Sequence, residues 1–512
     1  MKQGFIKVYH LPIYLAITLV IGIFLGKNFF SSKSSFVSAD NNDSLYTEAL
    51  NLAEILQLVQ ENYVDSVNVK DIAHKGISEF LHQLDPHSNY IPASKVDKAN
   101  ESLEGSFEGI GLEFLLMKDT IVAVRPVKNG PSALAGIQPG DKIVIIEGKN
   151  ASHPKMKSDE VVGKLRGKRG SVVNVKVKRS GVDSLIPFAI TRAEIPIYSV
   201  DAAFMLDSST AYFKIGEFSR TTMDEFKATY PYNNNKVKTV VMDLRGNGGG
   251  YLNTCTQLVD EFLKDGELIV YTQDRQREQN KMYASSVGKF EEVNLYVLID
   301  YESASASEIF AGAMQDNDRA TIIGSRSFGK GLVQELFSLS DGSQVRLTVS
   351  RYYTPSGRCI QKPYKDIDYI DYAYSDNDSI ADTTAYYTKS KRKVFGGGGI
   401  YPDINIKEDS MVFWRELTDL YQDDFARKCA IQAIVQNAAK WKSLTAEQFI
   451  NNKKAEEAMR KTMAALLPKA LSTEAKNYLL NDVRGNVLRC LWGNNAYYQY
   501  KLRDDRCLKK IK

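Results

Sequence analysis

The chain has 512 residues, 43% hydrophobic and 25% charged, an ordinary globular composition with room for two to four domains. A net charge of +4 is small for this length, and no basic stripe is interleaved with aromatics, so nucleic acid is not an expected partner. The five cysteines (Cys255, Cys359, Cys429, Cys490, Cys507) show no CxxC or His-paired spacing; Cys490 with Cys507 is a candidate disulfide, and free buried thiols are the equal alternative.

Lys2 and Lys7 precede an apolar run from Leu11 to Leu25, the pattern of an export signal. A cleavage site after Ala39 lies far from that run. Residues 1–30 therefore read as an uncleaved signal-anchor rather than a cleaved peptide, and the rest of the chain is expected outside the cytoplasm, in the periplasm of a Gram-negative cell. Residues 31–44 are polar and read as a linker.

From 45 to 104 apolar residues recur at helical spacing (Leu52, Ile55, Leu56, Val59, then Ile72, Ile77, Phe80, Leu81, Leu84), which predicts two or three helices. Leu84-Asp85-Pro86-His87-Ser88 ends them in a turn. His82 and His87 flank that turn without nearby cysteines, so they read as helix end and turn rather than as metal ligands, and no metal site is expected. Residues 105–192 hold short strands (121–127, 142–147, 172–179, 186–191) and two short helices, an arrangement that resembles a PDZ domain.

Residues 193–405 read as α/β. Thr239–Leu244 is an apolar strand running into Asp243-Leu244-Arg245-Gly246-Asn247-Gly248-Gly249-Gly250. A helix over 252–263, strands over 295–299 and 320–324, and an alternating strand over 344–353 follow, an order that suggests parallel pairing. The Tyr/Ser/Asp-rich segment 366–391 reads as an exposed insertion. Residues 406–512 are helical and carry no candidate chemistry; packing on the core, self-association and adaptor binding all remain open for them.

The chemistry concentrates between 300 and 334. Ser303, Ser305 and Ser307 open a helix, and Ser303 suits an N-cap, with Glu308 supporting the first turn. Serine becomes nucleophilic only when a base takes its proton. No histidine follows His153, so Lys330, flanked by Gly329 and Gly331, is the candidate base. Burial lowers a lysine's pKa and lets the neutral amine accept a proton. Penicillin-binding proteins and related hydrolases carry Ser-x-x-Lys in one helical turn. Residues 305–308 are Ser-Ala-Ser-Glu, so that pattern is absent.

Y-E-S-A-S-A-S-E-I-F-A-G-A together with S-F-G-K-G-L-V-Q resembles the C-terminal processing peptidases, or tail-specific proteases, over residues 45–405. The resemblance implies an α/β core of the crotonase-like/ClpP-like kind, an inserted PDZ domain, and helical N- and C-terminal segments. It implies Ser305 as nucleophile, Lys330 (25 residues on) as general base, and Gln334 as its assistant. The Ala306 amide and that of Gly248 or Gly249 would form the oxyanion hole. Gly109, Ile110, Gly111 and Leu112 would hold a substrate's C-terminal carboxylate, and Arg166 would add charge nearby. The activity expected is a serine endopeptidase acting on proteins recognised by their C-termini, without a cofactor. A non-catalytic PDZ scaffold is the alternative.

Overall fold

The computed structural model describes residues 42–151, 153, 156–229, 236–365, 372, 384–406 and 414–511. The expected signal-anchor lies outside the described residues, and among those no helix is long and apolar enough to cross a membrane. The chain divides into two compact units, residues 1–80 and 81–512. In the first, the helix Asn42–Asn62 begins inside what reads as linker, because Asn-Asp-Ser is also a helix-start composition. Leu50, Leu52, Ile55 and Leu58 on this helix are exposed.

The second unit is built on a six-stranded sheet in the order Val200–Met205, Thr210–Ile215, Thr239–Asp243, Asn294–Ile299, Thr321–Gly324, Ile404–Asn405. The first pair is antiparallel and the others are parallel. Every residue of Thr210–Ile215 and of Thr239–Asp243 is buried. Parallel strands covered on both faces are mostly apolar, and these two carry Ala211, Tyr212, Phe213, Val240, Val241 and Met242, with Lys214 and Asp243 buried near their ends. One face packs Val240, Met242, Val297 and Ile322 against the helices Leu252–Asp260 and Ala306–Asp316. The other face places Tyr212, Val241, Leu298 and Ile323 against Leu502, Cys507, Leu508 and Ile511 from the end of the chain.

A second sheet pairs Gln344–Tyr353 with Asn89–Ile91, Leu268–Asp274 and Leu332–Ser338. It carries the residues after Lys330 up to those following the Asp85 turn. Strands Ser106–Gly109 and Ala193–Pro196 pair antiparallel at the entry to and exit from a third sheet, ordered Leu112–Met117, Thr120–Pro126, Lys142–Ile146, Val172–Lys178, Ile186–Thr191. Val173, Val175 and Val177 alternate with exposed residues, as a half-buried strand requires. Thr120–Pro126 is apolar on both faces. Ile121 and Ala123 face the domain's own core, while Val122 and Val124 pack, with Leu115, against the C-terminal helices.

Those helices, from Trp414–Gln422 to Asn494–Lys501, are capped by Thr445, Asn452 and Ser472 side chains accepting from the amides three residues on. They touch both other parts of the unit. Arg427 pairs with Glu113, and Arg125 Nη1 donates to Asn494 Oδ1 at 3.2 Å. The next residue, Asn495, exchanges two hydrogen bonds with the Ala203 backbone, at 3.1 and 3.0 Å, on the edge strand of the central sheet.

One expectation is corrected, and one left open is decided. Tyr372, inside the segment expected to be exposed, is 2% accessible, because its ring packs edge-on to Phe328 and His87. Part of the same segment forms a hairpin, Ala385–Tyr387 with Lys393–Phe395. The five cysteines are free thiols. Cys490 packs beside the helical core and Cys507 against the central sheet, so they serve different cores.

Candidate active site

The helix Ala306–Asp316 is buried at all eleven positions, which its small residues allow. Its N-cap is Ser305, not Ser303. The Ser303 hydroxyl instead donates to the Leu244 carbonyl at 2.9 Å, because the loop after strand Thr239–Asp243 lies against it. Ser305 has φ 55° and ψ −113°, a conformation rarely held by a residue with a side chain. Strain of this kind costs about 1–3 kcal/mol and persists only where surrounding contacts enforce it.

The enforcing group is Glu308, which is fully buried. Its Oε2 accepts from the Ser305 amide at 2.8 Å and from the Lys330 amide at 2.8 Å. Its Oε1 accepts from the Ser327 hydroxyl at 2.6 Å and the Gly329 amide at 2.7 Å. Burial pushes its carboxyl up to about 7, against the pull of those four donors. The Ser327 oxygen accepts in turn from the Ile400 amide at 2.6 Å, and the Phe328 amide donates to the Ser303 carbonyl at 3.0 Å. The lysine loop is thereby stitched to the start of the serine helix.

Lys330 Nζ donates to Gln334 Oε1 at 3.0 Å, and Gln334 Nε2 donates to the His87 carbonyl at 2.5 Å. The register along Leu332–Ser338 sets Gln334 opposite Thr348, with a shift between Val333 and Gln334. Burial pushes the Lys330 ammonium down to about 8. The Arg346 charge adds to this, and Asp85 and Glu308 oppose it. His87 is held down to about 3 by burial and by the charge of Lys330, so it is neutral near pH 7. Its Nε2 shares a hydrogen bond with the Tyr372 hydroxyl at 2.9 Å. The turn holding it is built on Asp85, whose carboxylate accepts from the His87 and Ser88 amides, both at 2.8 Å, and from the Ser88 hydroxyl at 2.7 Å. A second lysine, Lys362, lies 3.8 Å above the Phe328 ring and 4.5 Å from that of Tyr372, and burial lowers it to about 8.

The glycine loop closes over the serine. Asn247 is fully buried; its Nδ2 donates to the Ile215 carbonyl at 3.1 Å, and its carbonyl accepts from the Ala304 amide and the Ser307 hydroxyl. A Cβ on Gly249 would stand 2.8 Å from Ser305 Cβ and 3.1 Å from the Ala306 nitrogen, so only glycine allows this approach. The Gly249 amide is engaged, donating to Asn247 Oδ1 at 2.8 Å. The amides of Gly248 and Ala306 have no acceptor among the described residues, and Gly248 is exposed.

Ser305, Ala306, Gly248, Gly249, Lys330 and Gln334 thus meet at one place. Gly109, Ile110, Gly111, Leu112 and Arg166 meet at another, in and beside the third sheet. Gly109 is paired within the Ser106–Gly109 ladder. The carbonyls of Ile110 and Gly111 accept from Ser132 and Val127, and their amides have no acceptor among the described residues. Gly111 has φ +64°, and its absent Cβ would press on Ile195. Leu112–Met117 pairs on one side only, leaving an edge. Arg166 is not free: it pairs with Glu101 and lies 4.5 Å over the Phe107 ring.

Glu308, Asn247 and His87 were not expected to shape the site. A signal for Glu308 was present: Ser305-x-x-Glu308 is the spacing of a capping box, in which a carboxylate returns to the N-cap amide. His87 carries no such signal, because its contact with Gln334 spans 247 residues of chain. Among the described residues no cluster of side chains has the makings of a metal site.

Residues 209–370 match peptidase family S41 and residues 122–179 match a PDZ domain. The carboxy-terminal-processing protease of Bartonella bacilliformis is 34% identical over 351 residues, covering 67% of this chain and 80% of its own length. The carboxy-terminal processing protease CtpB of Bacillus subtilis is 34% identical over 310 residues, 60% of this chain and 64% of its own length. Among solved structures, a photosystem II D1 C-terminal processing protease is 24% identical, covers 70% of this chain and 93% of its own, and superposes with a TM-score of 0.37. This chain belongs to peptidase family S41, as a PDZ-bearing serine peptidase of the carboxy-terminal processing group.

Proposed function

We propose that Ser305 is the nucleophile and Lys330 the general base and acid of an endopeptidase that selects proteins by their C-terminal tails. The reading rests above all on one observation: the amides of Ser305 and Lys330 share a single Glu308 oxygen, while the Lys330 amine is buried and oriented by Gln334. With its pKa near 8, Lys330 is partly neutral at physiological pH. Its amine takes the Ser305 hydroxyl proton as Oγ bonds to the scissile carbonyl carbon. The resulting oxyanion accepts from the Ala306 amide and, because Gly249 is already committed, from that of Gly248. Lys330 then returns the proton to the leaving amine as the C–N bond breaks. Water, deprotonated by Lys330, attacks the acyl-enzyme and frees the new carboxylate and Ser305. No step calls for a metal or organic cofactor.

The unengaged amides of Ile110 and Gly111, beside the open edge of Leu112–Met117, suit a terminal carboxylate and an added strand. The tail docks there, and an upstream segment reaches Ser305. The basic flank and apolar run of residues 1–30 support export and a membrane tether, which would put the peptidase body in the periplasm.

The test is digestion of an unfolded protein presented with two tails, one ending in an apolar residue and one in an amidated or acidic residue. Selective loss of the apolar-tailed form, abolished in Ser305→Ala and Lys330→Ala, is expected. Equal digestion of both tails removes the tail-gating reading. Digestion by Ser305→Ala removes the site assignment.

A further inference from the structure

We propose that Asp505, near the end of the helical C-terminal region, is a positioning residue for the oxyanion loop. The inference rests on the reading of Gly248 as an oxyanion donor.

The loop leaves the central sheet at Asp243, and the first side chain beyond the strand that reaches charged partners is Arg245. Its Nε and Nη2 donate to the Asp243 carboxylate, at 3.0 Å to Oδ1 and 2.5 Å to Oδ2. Its Nη1 donates to Asp505 Oδ2 at 2.7 Å. Asp243 is almost wholly buried, Asp505 is 12% accessible, and the Arg245 side chain they share is 25% accessible. Burial works against that charge, but the two carboxylates outweigh it and raise the Arg245 pKa. The Arg245 carbonyl accepts from Lys214 Nζ, a buried ammonium on the neighbouring strand, and the Gly246 amide donates to Asp300 at 2.9 Å. Tyr212 also donates its hydroxyl to Asp243, at 2.8 Å.

Arg245 is thus fixed in side chain and in backbone, and Gly246, Asn247 and Gly248 follow it. Among the described residues Gly248 makes no hydrogen bond of its own, and a Cβ there would meet nothing within 4 Å. Its orientation is therefore set by its two flanks. The Asn247–Gly249 hydrogen bonds hold the far side, and Arg245 holds the near side. Among the described residues, Asp505 is the one hydrogen-bonded support of Arg245 that comes from outside the peptidase sheet.

Asp505 is held in its turn. Its Oδ1 accepts from the Cys507 and Leu508 amides at 2.8 and 3.0 Å, and Leu502, Cys507, Leu508 and Ile511 around it pack on Tyr212, Val241, Leu298 and Ile323. The end of the chain seals the second face of the central sheet and, from that face, presents one carboxylate to the loop that serves Ser305 on the other side. A region without catalytic groups of its own thereby bears on the rate of the reaction. The planar guanidinium suits this role: its fork fixes Asp243 with Nε and Nη2 and leaves Nη1 for Asp505, so direction is held as well as distance.

The test uses the full-length enzyme and a peptide substrate. Asp505→Ala is expected to lower kcat about tenfold with KM within about twofold, because the donor is loosened rather than removed. Affinity for a peptide aldehyde, whose hemiacetal oxygen takes the oxyanion position, should fall in parallel, while affinity for a tail peptide stays unchanged. Asp505→Asn should fall between, and Asp505→Glu should recover part of the loss. Leu508→Ala, which weakens the packing of the C-terminal segment on the central sheet and leaves the carboxylate, should lower Tm and spare kcat. Unchanged kcat in folded Asp505→Ala, or an equal kcat loss in Leu508→Ala, overturns the proposal; if Asp505→Ala does not fold, Asp505→Asn decides by the same readouts. Turnover by Ser305→Ala, or full activity in Gly248→Pro, would remove the underlying reading and this inference with it. Inactivity of both beside a normal Asp505→Ala would remove this inference alone.

Discussion

The backbone amides of Ser305 and Lys330 donate to the same oxygen of Glu308, each at 2.8 Å. One carboxylate at the start of a buried helix therefore sets the position of both the serine and the lysine. It suits that place, because the first turn of a helix carries the positive end of the backbone dipole and unpaired amides. The arrangement also accounts for the unusual backbone of Ser305, which the hydrogen bond from its amide to Glu308 helps to hold.

Replacing Glu308 by Gln would place an amide NH₂ against two of four donors. We expect Glu308→Gln to lower kcat about a hundredfold, with KM changed less than about threefold, since a geometry error at the reacting groups costs rate before binding. Steady-state peptide hydrolysis checks this. A normal kcat would mean that Ser305 and Lys330 are held by other contacts.

As the proposed general base, Lys330 must be neutral to accept a proton, and burial lowers its pKa to about 8. Peptidase activity should therefore rise with pH through about 8 and level off above it. The sign for stability follows the same burial. Between about 8 and the ordinary lysine value of 10.5 the unfolded chain binds a proton that the folded chain does not, so stability rises with pH across that window and the buried ammonium costs most below pH 8. Lys330→Met should be inactive at every pH and at least as stable as the parent at pH 7. A pH–rate profile and thermal unfolding at pH 7 decide both points.

The two glycines of the loop should separate cleanly. Gly249→Ala pushes a methyl to within 2.8 Å of Ser305 Cβ at φ +112°, and should abolish activity with a drop in Tm. Gly248→Ala meets open space and keeps its amide, so kcat should stay within about threefold. Gly248→Pro removes the amide, and kcat should fall about a hundredfold or more. Equal effects of Ala and Pro at 248 would point away from this amide as donor.

His87 is held neutral down to about 3, whereas an exposed histidine titrates near 6.5. As pH falls between those values the unfolded chain gains a proton that the folded chain cannot take, so stability declines through that window. His87→Phe keeps a ring against Phe328 and Tyr372 and should flatten the decline in Tm between pH 6.5 and 4. An unchanged slope would assign the acid lability to carboxylates instead.

Much of this was legible in the chain. The strands Ile186–Thr191 and Gln344–Tyr353 appear at the residues their patterns predict, because periodicity is a local property. The serine and lysine segments stood out because a serine cluster without later histidines leaves few candidate bases. Where the reading failed, a distant partner had intervened. Ser303 is a good cap by type, yet its hydroxyl belongs to Leu244, 59 residues earlier. Tyr372 sits in a polar stretch and is buried by Phe328 and His87. The strand over 121–127 is legible in its pattern, but not that its second face meets the helices that begin at Trp414.

By itself, then, the sequence determined the elements, the family and the few residue types able to do the chemistry. Only the tertiary structure decided that Glu308 joins Ser305 to Lys330, that His87 steadies Gln334, that Gly249 spends its amide on Asn247, and that Asp505 reaches Arg245. The reason is physical. Periodicity and motif spacing are written within a few turns of chain, whereas a hydrogen bond between residues 87 and 334, or 245 and 505, exists only after the sheets have closed the loops between them.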